Sequence, residues 1–217
     1  LERLERELGP LKVDMDVVRT LPASLRHGDF RGTAVKAGNR LLAFVPGDRK
    51  PPCLAAAFDI GTTTLAGSLI DLEDGRELSR VARLNPQTKF GDDILARITY
   101  ASAAPERLER LRREIIDTVN EMIRELAEHA DVRVEDIYDV SFAGNTTMQH
   151  LLLGIDPASI GVSPFVPVVR TSLTPTASAV GVRAHPRARC YVFPAIAGYV
   201  GGDTVAGLIA TRFAEAD

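Results

Sequence analysis

The sequence contains no Trp, 4 Tyr and 8 Phe, so aromatic residues make up only 6% of its 217 positions. So few flat rings argue against a surface that binds nucleic acid by stacking successive bases. Cysteine is scarcer still, because Cys53 and Cys190 stand far apart in no Cys-x-x-Cys pattern. Such a pair argues against a disulfide framework, a zinc site and a redox dithiol. One chain cannot hold an iron–sulfur cluster with it either, since a cluster normally takes four thiolates; only two chains pairing could complete such a set. Both cysteines are read as inert apolar residues at strand edges. No apolar run approaches the roughly 20 residues that cross a bilayer, and Leu1-Glu2-Arg3-Leu4 does not open a signal peptide. The expected location is the cytoplasm, where the sequon Asn145-Thr146-Thr147 stays unmodified. Neither sign of charge dominates, and a formal net charge of −3 gives no attraction to nucleic acid or to an anionic membrane. An initial Met is also missing and the chain stops at Asp217 in or just after a helical pattern, so a piece of a longer protein is expected.

Hydrophobic residues at 45% and charged residues at 25% are the proportions of an ordinary soluble globular chain. Residues 1–50 read as a small α+β module. A charged helical end is stopped by Gly9-Pro10, and Asp14 or Asp16 is placed to cap a helix through Val17, Val18 and Leu21 that Pro22 bends or restarts. Thr33 to Lys36 and Arg40 to Val45 read as strands joined by Gly38-Asn39. Arg49-Lys50-Pro51-Pro52 follows as a polar linker.

Residues 54–217 have a different rhythm. Leu54 to Ile60 is an apolar run suited to a strand buried on both faces, followed by strands over 65–71 and 77–84 joined through short turns. A short helix over 92–100 precedes a long one from Pro105, with Leu108, Leu111, Ile115, Val119, Met122, Ile123 and Leu126 at spacings of three and four. A strand over 137–143, a helix over 146–153, an irregular excursion over 157–187, a strand over 190–195 and a helix over 204–213 complete the order βββαβαβα. Three antiparallel strands followed by parallel βα units predict an α/β, ribonuclease-H-like layered domain.

The chemistry is concentrated in Phe58-Asp59-Ile60-Gly61-Thr62-Thr63-Thr64. Gly61 lets the backbone approach a ligand. The turn's N–H groups can converge on an anion, with the hydroxyls of Thr62, Thr63 and Thr64 as further donors. Asp59, at the end of a strand, can hold Mg²⁺ through water. No Gly-Lys-Ser/Thr follows, so this is not a Walker loop; a plain hairpin of small residues is the simpler alternative. A second element, Ala197-Gly198-Tyr199-Val200-Gly201-Gly202-Asp203-Thr204, leads from a strand into a helix. Gly201 and Gly202 can present N–H groups to an anion, and Asp203 is either a functional carboxylate or a helix cap. Gly207 and Ala210 lie three apart and permit close helix crossing. In the third element, Ala143-Gly144-Asn145-Thr146-Thr147-Met148-Gln149-His150, Asn145 or Thr146 caps a helix and Asn145 can also reach a cleft. His150 reads as a solvated helix residue. Asn85-Pro86-Gln87 and Phe90-Gly91-Asp92-Asp93 read only as a loop leading to a cap.

The Asp-x-Gly-Thr-Thr-Thr hairpin resembles the first phosphate loop of the sugar-kinase, heat-shock-chaperone and actin superfamily, in which two ribonuclease-H-like halves close over a nucleotide. With Asn85-Pro86-Gln87, Phe90-Gly91-Asp92-Asp93, Ala143-Gly144-Asn145-Thr146-Thr147-Met148 and Ala197 to Asp203 in that order, the chain resembles the ATP-dependent reductive activators of corrinoid proteins. Residues 1–50 are similar to part of that family's small middle domain and residues 54–217 to the first half of its ATPase domain. The resemblance implies ATP and Mg²⁺ as cofactors, a corrinoid protein returned to Co(I) as partner, and a [2Fe–2S] cluster in a domain outside this chain. It implies Asp59 and Asp203 at the metal, Asp203 as the catalytic group, and Gly61, Thr62, Thr63, Thr64, Gly201, Gly202 and Asn145 around the nucleotide. A small-molecule kinase, a dehydratase-type activator and a non-enzymatic actin-like module remain as alternatives, and a homodimer is left open.

Overall fold

A computed structural model describes residues 1–213; the stretch 214–217, assigned above to the second region, lies outside the described residues. The chain divides into two compact units, Leu1–Cys53 and the part from Leu54 onward.

In the first unit, α1 (Glu2–Leu8) is ended by Gly9, whose φ of 78° is the left-handed turn that glycine supplies without strain. A two-residue strand β1 (Lys12–Val13), too short to show periodicity, pairs parallel to β3 (Arg40–Pro46), which pairs antiparallel to β2 (Gly32–Ala37). Helix α2 (Met15–His27) runs through Pro22 and buries Val17 and Leu21. Asp14 stands at its N-terminus but makes no side-chain cap; its carboxylate binds the Arg40 guanidinium at 2.6 Å.

The second unit is built on a five-stranded sheet of order β6-β5-β4-β7-β8. Strands β4 (Leu54–Ile60), β5 (Thr64–Asp71) and β6 (Glu77–Leu84) form an antiparallel meander. Strands β7 (Ile137–Gly144) and β8 (Arg189–Val192) add in parallel beside β4. This is the ribonuclease-H-like arrangement that the strand pattern predicts. Alternation along β4 buries Leu54, Ala56, Phe58 and Ile60 on one face beneath α4 (Pro105–His129) and α5 (Thr146–Leu153). The apolar stripe of α4, from Leu111 to Leu126, fills that core with Phe142 stacked on Phe58 at 5.6 Å. At about 1.5–3 kcal/mol for each fully buried large apolar side chain, this face dominates the unit's stabilisation.

Other elements differ in extent from the sequence pattern. Helix α3 (Ile94–Ser102) begins after Asp93, whose carboxylate accepts the Ala96 N–H at 2.7 Å. Within 157–187 the chain is ordered, with α6 (Ala177–Val180) and bridges from Leu173 to Val192 and Thr176 to Arg189 covering the free edge of β8. An uncovered edge would present unpaired backbone groups to other chains. Strand β8 ends before Pro194, which has no N–H to continue a ladder. The last helix, α7 (Gly202–Ala210), packs on β7.

Candidate functional site

Because β4, β7 and β8 run parallel, their carboxyl ends share one edge of the sheet, the position at which open α/β sheets receive ligands. From β4 the chain turns through residues 61–63 into β5; from β7 it enters α5 at Asn145; beyond β8 it reaches α7 at Gly201.

The turn after β4 is held from behind. Gly61 N–H donates to Thr64 O at 3.0 Å, and a Cβ on Gly61 would lie 2.5 Å from that oxygen, so no side chain fits there. Asn85 Nδ2 donates to Gly61 O at 2.8 Å, Arg97 Nη2 to Thr62 O at 2.6 Å and Asn85 N–H to Thr63 O at 2.8 Å. All three turn carbonyls are thereby engaged. The N–H groups of Thr62 and Thr63 donate to no protein acceptor among the described residues. Two expectations change here: the Gly61 N–H is consumed inside the hairpin, and Thr64 is the first residue of β5.

Asn145 serves two elements. Its Oδ1 accepts the Met148 N–H at 3.0 Å, capping α5, and its Nδ2 donates to Thr62 Oγ1 at 3.0 Å. Gly201, the N-cap of α7, packs directly on this cap; a Cβ there would lie 2.5 Å from Asn145 Cα and from Thr146 N. Two helix N-termini, each carrying partial positive charge, therefore lie side by side next to the turn.

Asp203 does not cap α7. It sits inside the first turn, where its Oδ1 accepts the Thr204 N–H at 2.7 Å, and the cap position belongs to Gly201. Asp59 opens to solvent on the sheet face opposite the α4 core. Its carboxyl is pushed above the ordinary value of 3.8, first by burial and then by the charge of Asp203. One turn past Asp203, Ala206 joins Asp59, Ala57, Ser141, Ala143 and Phe193 around a cavity of about 380 Å³. Among the described residues no three His, Cys, Asp or Glu side chains gather to hold a metal unaided. Two mutually repelling carboxylates suit Mg²⁺, which keeps most of its water and takes only one or two protein oxygens.

The structure thus brings Asp59, Thr62, Asn145, Gly201 and Asp203 to one edge, with Gly202 at the start of α7. Among the described residues the side chains of Thr63 and Thr64 have no partner, and both are exposed beside it. Sequence reasoning missed Arg97, fully buried behind the turn, and the role of Asn85. The available signal was Arg97 lying on the stripe of Ile94, Ile98 and Ala101, the inward face of α3. His150 is a correction: it is buried, with Nδ1 against Thr146 O at 2.8 Å and Nε2 accepting the Val168 N–H at 3.1 Å. Close helix crossing at Gly207 is not used among the described residues, since a Cβ there meets nothing within 4 Å.

The chain is similar to known proteins over most of its length. The chain is 34% identical over 214 residues to the corrinoid activation enzyme RamQ of Eubacterium limosum, covering 90% of this chain and 36% of that protein. The solved structure of a reductive activator for corrinoid, iron-sulfur protein superposes with a TM-score of 0.88 at 33% identity, covering 99% of this chain and 35% of that one. The chain therefore spans about a third of the length of either relative. A family model described as the RACo middle region matches residues 54–216, the unit that carries the turn, both carboxylates and the two helix N-termini. On that match the chain belongs to the RACo middle region family.

Proposed function

We propose that this chain supplies the first half of an ATP site in a reductive activator that returns an oxidised corrinoid protein cofactor to Co(I). The observation that carries the reading is the meeting of Asp59, Thr62, Asn145 and Asp203 at the carboxyl ends of β4 and β7. Free N–H groups and hydroxyls on the turn suit phosphate oxygens. Asp59 would hold Mg²⁺ through water, and Asp203 would be a magnesium ligand or orient the attacking water. Gly201 and Gly202 keep the α7 N-terminus close enough to add its dipole. Bound MgATP would supply the free energy that makes a low-potential reduction feasible. The electron would arrive through a [2Fe–2S] cluster held elsewhere, because Cys53 precedes β4 and Cys190 is buried with its thiol pushed up to about 12. A cytoplasmic setting fits two cysteines that form no disulfide among the described residues.

The test uses the full-length protein, an oxidised corrinoid protein and a low-potential reductant, with Co(I) followed by its absorbance. Formation of Co(I) that requires MgATP and fails with Asp59→Asn is expected. Equal Co(I) formation without ATP would overturn the reading.

A further inference from the structure

Behind the phosphate turn lies a guanidinium in an unusual position. Arg97 is fully buried, and among the described residues it forms no ion pair. Its Nε donates to Gly91 O at 2.9 Å, its Nη2 to Thr62 O at 2.6 Å, and its Nη1 faces Gln87 Oε1 at 3.3 Å and Met148 Sδ at 3.4 Å. The carboxylates of Asp92 and Asp93 act on it only through their fields, against the larger effect of burial. Taking a charge out of water without a paired counter-ion is unfavourable. Neutral Asn or Gln donors could tie carbonyls together without that cost, as Asn85 does on Gly61 O. A buried charge is therefore poorly explained by tethering alone. It is well explained if negative charge arrives on the other side of the turn.

We infer that Arg97, assisted by Asn85, is a positioning residue for phosphate binding: it draws the Thr62 carbonyl backward, leaves the Thr62 and Thr63 N–H groups facing the ligand, and places a fixed positive charge behind them. This rests on the reading of residues 61–64 as a phosphate loop. The planar fork is essential, because it spans Gly91 O and Thr62 O together, which a lysine ammonium cannot do. Thr62 is then gripped twice, by Arg97 through its carbonyl and by Asn145 through its hydroxyl. Residues 85–97, which pass from β6 to α3, thus act as a rigid brace rather than as a connector.

The test compares full-length wild-type protein with Arg97→Lys and Asn85→Ser, well below their unfolding temperatures. Serine keeps an oxygen for the Gln87 N–H that Asn85 Oδ1 now accepts, and loses the donor to Gly61 O. MgATP affinity is measured by calorimetry, and hydrogen exchange of the peptide covering residues 60–66 is followed with and without MgATP. Both variants are expected to bind MgATP about tenfold or more weakly, since small misplacements of a binding group have effects of this order. KM should rise more than kcat falls, and the 60–66 peptide should exchange faster without nucleotide. If MgATP gives the wild-type peptide no protection, the phosphate-loop reading itself falls. If the wild type is protected and both variants bind as it does, Arg97 and Asn85 are core residues only. Should Arg97→Lys fail to fold, Asn85→Ser decides alone: unchanged affinity overturns the inference and weakened affinity supports it.

Discussion

Asp59 is held in an environment that disfavours its own charge. Burial and the field of Asp203 both raise its pKa, so in the folded chain the ionised form is penalised relative to the unfolded chain. The sign of the consequence follows from linkage. The penalty is full above the raised folded value and disappears below the unfolded value near 3.8. Asp59→Asn should therefore raise the melting temperature of the ligand-free protein at pH 7. Solvent access limits the gain to about 1–2 °C, the effect of a fraction of a kcal/mol in a chain of this size. The gain should shrink as pH falls toward 4, as thermal unfolding of both proteins across that range will show. An unchanged or lower melting temperature at pH 7 would mean that Asp59 is not under strain. A carboxylate kept at a cost to stability, opposite a second one, is what a cation site requires before its cation arrives.

At the scale of elements, legibility in the sequence tracked how strongly burial imposes a period. The run Leu54 to Ile60 and the α4 stripe each fill one continuous core face; the first emerged with its observed limits and the second with its observed start at Pro105. Strand β1, with two residues, carries no period, and the 157–187 excursion takes its order from bridges to β8 rather than from its own pattern. Arg97 and His150 were obscured for another reason. Polar residues are ordinarily solvated, and the burial of these two also draws on partners distant in sequence, Thr62 for one and Val168 for the other, that local pattern does not show. Asn145 was the intermediate case, because its cap is local but its contact with Thr62 is not. That difference separates its two roles by mutation. Asn145→Ala should remove the cap at about 1 kcal/mol, lowering the melting temperature by roughly 2–4 °C. Asn145→Ser should keep most of that stability, since serine caps well. Both variants lose the reach to Thr62, so both should bind MgATP more weakly. Normal nucleotide affinity in Asn145→Ser would restrict Asn145 to capping.

For the whole molecule, the proposed reading makes the unit from Leu54 onward one wall of a cleft. The turn after β4, the two carboxylates and the helix N-termini all lie at the edge formed by the ends of β4, β7 and β8, where the proposed reading puts the phosphates. The relatives are about three times longer than this chain, so the proposed turnover is to be measured on the full-length protein. There, on the proposed reading, the decisive residue is Asp203. Among the described residues its Oδ1 accepts only the next residue's N–H and hydroxyl, at 2.7 and 3.3 Å, while the cap position belongs to Gly201. An asparagine at 203 keeps an oxygen for the Thr204 N–H, so the fold and α7 should survive Asp203→Asn. What it loses is negative charge and the capacity to hold Mg²⁺ or accept a proton from water. Loss of one such positioned group typically slows a reaction by about 10²–10³-fold. ATP hydrolysis by Asp203→Asn, measured at saturating ATP and Mg²⁺, should fall by that order with the melting temperature nearly unchanged. The apparent pKa of Asp59, followed by carboxyl NMR, should fall partway toward 3.8, because burial remains when the neighbouring charge is gone. Near-normal turnover together with a lowered Asp59 pKa would show that the two carboxylates face each other without Asp203 taking part in the chemistry. In that event the site would use Asp59 alone from this half of the cleft.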